Sequence, residues 1–153
     1  MIKIMFVCLG NICRSPMAEF VFRDRVKKAG LQGKIHIASS ATSRWEIGNP
    51  VHHGTRNRLK KEGIDTSGKV AVQLTKADFL EYDYLIGMES SNISDMLKIS
   101  GGVHTEKVCK LLDFTDGGNI ADPWYTGDFD ATYNDVVKGC AGLLEHLKEK
   151  YNL

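Results

Sequence analysis

No apolar stretch of this sequence approaches the ~18 residues that a membrane helix requires, and the formal net charge is only +1. The first absence argues against a membrane protein. The second removes the electrostatic case for nucleic acid, which a strongly basic chain would make. Cysteine is sparse too: Cys8, Cys13, Cys109 and Cys140 are the full complement of 153 residues. Disulfide scaffolds are denser and usually smaller, so free thiols and a reducing, cytoplasmic location are expected. The opening "IMFVCLG" is short for a secretory signal; no small-residue cleavage site follows, and Asn11 and Arg14 interrupt it at once. No repeat, low-complexity tract or linker divides the chain. Its length suits one domain, residues 1–153, with enough chain to bury a core.

What is present alternates between strand and helix patterns. "IKIMFV" is apolar at nearly every position, as a strand covered on both faces should be. "SPMAEFVFRDRVKKAG" reads as a helix with Ser15 as N-cap, Pro16 at the first helical position and Gly30 as the stop. "KIHIASSA" predicts a second strand, and "NPVHHGTRNRLKKEGI" a helix opened by Asn49-Pro50 and closed by Gly63. A third strand is expected at 84–87, a helix over "SSNISDMLKIS", a fourth strand over "KVCKLL" and a last helix over about 131–150. This order predicts an α/β fold with three layers, α/β/α, around a four-stranded parallel sheet. Ligands of such sheets bind beyond the carboxyl ends of the strands, and the first strand ends at Cys8.

The loop "CLGNICRS" suits an oxyanion. Strand-to-helix loops aim several backbone N–H groups at one spot, where the helix dipole adds positive potential. Leu9, Gly10, Asn11, Ile12 and Cys13 would supply amides, with Gly10 allowing a tight backbone and Asn11 tolerating a left-handed one. Arg14 can grip two oxygens with its planar fork. Cys8 facing that cradle has its thiolate favoured and becomes a nucleophile at neutral pH. Ser15 could donate its hydroxyl to the same sulfur. A Walker loop is excluded because GxxxxGK[ST] is missing. A zinc site would need a second close pair beside Cys8 and Cys13, and none exists, so no metal is expected. A mere packed turn explains neither Arg14 nor Gly10-Asn11.

"VCLGNICRSPMAE" at the N-terminus resembles the signature of the low-molecular-weight protein tyrosine phosphatases, and the chain length, element order and late "DPWY" agree with it. The resemblance implies a flavodoxin-like low-molecular-weight phosphatase fold. It also implies hydrolysis of phosphotyrosine through a phosphocysteine on Cys8, with Arg14 as clamp and Asp122 as general acid and base. Taken alone, "ADP" would be read as a turn. The implied partners are phosphotyrosine-containing proteins and, in the active site, inorganic phosphate or other oxyanions. No cofactor is implied, since the cradle itself neutralises the charge, and the protein would be a monomer or weak dimer. Trp45, Trp124 and Tyr125 would wall the substrate pocket; core packing is the rival reading for the tryptophans.

By the same resemblance, Ser39 braces Asn11, and Ser15 completes the support of the loop. The family's usual histidine in the stretch "TSGKV" is replaced by Gly68, which leaves part of the bracing undefined. Cys13 would form a reversible disulfide with Cys8; the plainer reading is a small buried residue. Three alternatives remain. Arsenate reductases of this fold relay oxidation through two further cysteines, which residues 64–108 lack. Arginine phosphatases of the family usually carry Thr where Ile12 stands. A phosphopeptide-binding module would need no pairing of Cys8 with Asp122.

Overall fold

The computed structural model describes residues 1–153. The first strand, β1 (Ile2–Cys8), alternates across the sheet: Ile4, Phe6 and Cys8 enter one apolar cluster, Met5 and Val7 another. That alternation is the two-residue period of a strand covered on both faces. It leads into α1 (Arg14–Lys28), then β2 (Ile35–Ala41), α2 (His53–Lys60), the short α3 (Asp78–Glu81), β3 (Tyr84–Gly87) and α4 (Ser90–Ser100). After β4 (Val108–Lys110) come the one-turn α5 (Pro123–Thr126) and the long α6 (Phe129–Tyr151). The four strands run parallel in the order β2-β1-β3-β4. No helix is long and apolar enough to cross a membrane.

Helices α1 and α6 cover one face, where Phe22, Val26, Val136, Leu143 and Leu147 pack on Phe6 and Ile86. On the other face Phe79, Tyr82 and Met96 pack on Met5, Val7 and Leu85. Because β1 lies between β2 and β3, the chain leaves it in one direction and later returns beside it from the other. That reversal opens a crevice at the carboxyl end of β1, where Cys8 stands.

Several boundaries differ from expectation, and the site explains the most informative one. The N-cap of α1 is Cys13, not Ser15, and Pro16 falls inside the first turn. Ser15 cannot cap because its hydroxyl is bonded to Asn11 and Cys8. Pro16 costs nothing there, since first-turn N–H groups have no partner within the helix. The second helix begins at His53, whose N-cap His52 accepts from Gly54 N through Nδ1 at 3.0 Å. Asn49 instead pairs its backbone with Ala71. The fourth strand stops at Lys110, where Leu111 turns inward against Gly139 of α6: a Cβ on that glycine would lie 2.5 Å from Leu111 Cγ. The last helix starts at Phe129, with Asp128 accepting from Ala131 N at 2.9 Å.

Candidate active site

The loop between β1 and α1 wraps around one sulfur. Cys8 Sγ accepts from Asn11 N at 3.3 Å and Ser15 N at 3.4 Å, and lies 3.0 Å from Ser15 Oγ. Asn11 makes the turn with φ of 57°, a left-handed conformation that asparagine adopts more readily than most residues. Gly10 is not in that region. A Cβ there would make only ordinary contacts, 3.4 Å from Glu46 Cγ and 3.8 Å from Ile12 Cγ1, so neither its conformation nor space demands glycine. Cys8 is 3% exposed.

Arg14, at the start of α1, is almost wholly buried, and each side-chain hydrogen bond it makes is with a residue distant in sequence. Nη1 donates to the Glu89 carboxylate and to Ile120 O, the latter at 2.9 Å, while Nη2 donates to Asp122 Oδ2 at 3.2 Å. Glu89 had no place in the sequence reading. It stands two residues beyond β3, on the same carboxyl edge as Cys8, and that position is the signal that could have found it. Burial works to raise its carboxyl, but the Ser91 hydroxyl and Arg14 outweigh it and hold Glu89 below the usual value of 4.5.

Asp122 caps α5: Oδ1 accepts from Trp124 N at 3.0 Å, which leaves Oδ2 for Arg14. The segment before it is tied to the sheet edge by Ile120 N donating to Met88 O at 2.9 Å. Trp45, Trp124 and Tyr125 are exposed rather than packed in the core, and with Cys8, Arg14, Glu46 and Asp122 they line a cavity of about 170 Å³. His52 joins the loop to this wall. Its backbone N donates to Ile12 O at 2.9 Å, and its ring stacks on Phe129 at 5.3 Å and meets Trp124 edge-on at 5.6 Å. Burial first, then His53 and Arg56, lower its pKa below 6.5.

Support for the loop comes from buried polar groups. Asn11 Nδ2 donates to Ser15 Oγ at 2.8 Å and Ser39 Oγ at 2.9 Å, and Asn11 Oδ1 accepts from Val72 N at 3.1 Å. Ser39 Oγ in turn donates to Glu19 Oε1 at 2.5 Å, a partner the sequence did not announce. Gly68 lies in an exposed turn with φ of 86° and no atom near enough to meet a Cβ, so it braces nothing. Cys13 is buried with Ile12 and Ala71, and burial, aided by Cys8 and Asp122 and opposed by Arg14, pushes its thiol up to about 12. Cys109 sits on β4, and Cys140 is buried beneath α1 at Ala18 O. No three His, Cys, Asp or Glu side chains converge as a metal-binding group.

The arrangement places a buried sulfur among backbone amides at the floor of the cavity, with a guanidinium and a carboxylate at its rim. The family model for low molecular weight phosphotyrosine protein phosphatases matches residues 3–153. The low molecular weight protein-tyrosine-phosphatase YfkJ of Bacillus subtilis is 42% identical over the full length of both chains. Its crystal structure superposes with a TM-score of 0.95, covering 98% of this chain and 96% of that one. The corresponding enzyme of Streptococcus pyogenes is 44% identical with a TM-score of 0.88, covering 99% and 98%. A Drosophila arginine phosphatase is 28% identical with a TM-score of 0.89, covering 96% and 98%. The chain belongs to the low molecular weight phosphotyrosine protein phosphatase family.

Proposed function

We propose that this protein hydrolyses phosphotyrosine in proteins in two steps, with Cys8 as nucleophile, Arg14 as phosphoryl clamp and Asp122 as general acid and then base. The observation that carries the reading is the convergence of these three residues in one cavity, with Cys8 receiving two loop amides and Asp122 reaching Arg14. A phosphoryl dianion is held by Arg14 and by the amides of Leu9 to Ser15. Cys8 Sγ forms a bond to phosphorus as the bond to the phenolic oxygen breaks, and Asp122 passes its proton to that oxygen.

In the second step the Asp122 carboxylate takes a proton from water, whose oxygen attacks phosphorus. The P–S bond breaks, inorganic phosphate leaves, and the Cys8 thiolate returns to its amides and the Ser15 hydroxyl. Trp45, Trp124 and Tyr125 flank the aryl ring, each stacking contact contributing ~1 kcal/mol. The substrates are then phosphotyrosine proteins of the cytoplasm, met by a one-domain enzyme acting as a monomer or weak dimer.

Phosphoarginine is the second reading, since a Drosophila relative is named an arginine phosphatase. Ile12 in the loop favours phosphotyrosine, because Thr is the usual residue there in arginine phosphatases. Arsenate reduction lacks its relay: Cys140 is fully buried and Cys109 lies on β4 with its thiol pushed up to about 12 by burial. Turnover of phosphotyrosine peptides beside phosphoarginine peptides decides among these. The proposal expects hydrolysis of the first, lost in Cys8→Ser, and capture of phosphotyrosine proteins by Asp122→Ala. Hydrolysis that survives Cys8→Ser, or a preference for phosphoarginine, overturns it.

A further inference from the structure

Beneath the anion cradle the protein buries a pair of charges that the two chemical steps do not use. Glu19, on the second turn of α1, is 5% exposed, with Oε2 accepting from Arg23 Nη2 at 2.6 Å. Its other oxygen, Oε1, receives the Ser39 hydroxyl. Lys69 reaches the same place from the turn beside Gly68. Its Nζ donates to Ser39 O at 2.9 Å and lies 3.7 Å from Glu19 Oε1, with 14% of the side chain exposed. A long cationic side chain folded inward is unusual at a turn and requires a partner. Burial pulls Lys69 below its ordinary value, and Glu19 opposes that shift.

Accounting for protons gives this cluster a direction. Asn11 Oδ1 is filled by Val72 N, so its amide group faces the two hydroxyls and donates to both Ser39 Oγ and Ser15 Oγ. Ser39 therefore accepts from Asn11 and gives its own proton to Glu19 Oε1, which receives it only while that oxygen is held beside the hydroxyl. Ser15 likewise accepts from Asn11, and its proton goes to Cys8 Sγ at 3.0 Å in preference to Ser40 O at 3.4 Å.

We propose that Lys69 is a positioning residue for the Cys8 nucleophile: by holding the Glu19 carboxylate in place, it orients Ser39, Asn11 and Ser15 so that the Ser15 proton faces the sulfur. It never touches substrate. The charged groups facing Glu19 are Lys69 and, on α1 itself, Arg23. Those around Cys8 in the cavity are Arg14 from α1, Asp122 from the loop before α5 and Glu46 from the turn after β2. The idea rests on Cys8 being the nucleophile.

The test uses the full chain and two substitutions, Lys69→Met and Lys69→Gln; the second keeps a hydrogen bond to Ser39 O without the charge. The readouts are the pH dependence of iodoacetamide alkylation at Cys8, followed by mass spectrometry, and the acid limb of kcat/KM on p-nitrophenyl phosphate. Both profiles should move to higher pH by about half a unit, roughly threefold less thiolate on the acid side. Lys69→Arg should restore them. In a Glu19→Gln background, Lys69→Met should add no further shift. Unmoved profiles in either folded variant overturn the proposal. So does an equal shift with and without Glu19, which would mark direct attraction between Lys69 and the sulfur. Wild-type protein whose turnover survives Cys8→Ser strikes the nucleophile assignment itself, whereas Cys8-dependent turnover with unmoved profiles strikes Lys69 alone.

Discussion

Arg14 Nη2 donates to Asp122 Oδ2 at 3.2 Å, so the anion clamp and the proposed proton donor share one ion pair. A phosphoryl group must compete with Asp122 for the guanidinium, so anion binding frees the Asp122 side chain from its ion pair. Asp122→Ala should separate the two effects. The kcat for aryl phosphates should fall between ~100-fold and ~10,000-fold, while vanadate or phosphate binds at least as tightly as to the wild type. Steady-state kinetics and oxyanion inhibition constants measure both. Weaker oxyanion binding in step with the fall in kcat would show that Asp122 holds the anion rather than the proton.

Glu89 anchors the other side of the same guanidinium. Glu89→Gln keeps the shape and removes the charge, so Arg14 should lose its aim and kcat/KM should drop ~10-fold to ~100-fold. An acid effect follows from the depressed carboxyl. Its folded pKa lies below the usual 4.5, so its stabilising contribution is complete above 4.5 and is lost as pH falls through the folded value. Acid unfolding of Glu89→Gln, followed by circular dichroism, should be less steep than that of the wild type in this range. Unchanged kinetics and an unchanged acid transition would remove Glu89 from the site.

The sequence made the local parts of this site legible and hid the distant ones. Cys8, Asn11 and Arg14 are close neighbours in sequence, and a strand running into a helix at that point dictates how they cluster. Glu89 lies 75 residues from Arg14 and Glu19 lies 20 from Ser39. Neither pairing has a local pattern, because each exists only once the parallel sheet has brought strand ends together. Ser15 shows the converse error. It carries every mark of an N-cap, yet a tertiary demand on its hydroxyl overrides the local preference, and the helix begins two residues earlier than expected, at Arg14 rather than Pro16.

Because the proposed steps need an ionised Cys8 and a protonated Asp122 together, kcat/KM should be bell-shaped in pH with its maximum on the acid side. A profile measured with p-nitrophenyl phosphate that stays level from about pH 5 to about pH 8 would contradict this pairing.

Cys13 and Cys109, each raised to about 12, stay protonated at neutral pH and should react slowly. Iodoacetamide at pH 7 should therefore label Cys8 first, as peptide mapping would reveal. If Cys13 guards the nucleophile, peroxide-treated enzyme should recover with dithiothreitol and Cys13→Ser should not. Equal recovery of the two proteins would leave Cys13 as packing alone.

The sequence contains two tryptophans, and both flank the cavity above Cys8. No indole lies in the core to dilute the signal. The intrinsic emission of the unmodified protein is consequently a native optical probe of its own active site. Quenching or a wavelength shift on adding an aryl phosphonate would report occupancy directly, without a label and without turnover.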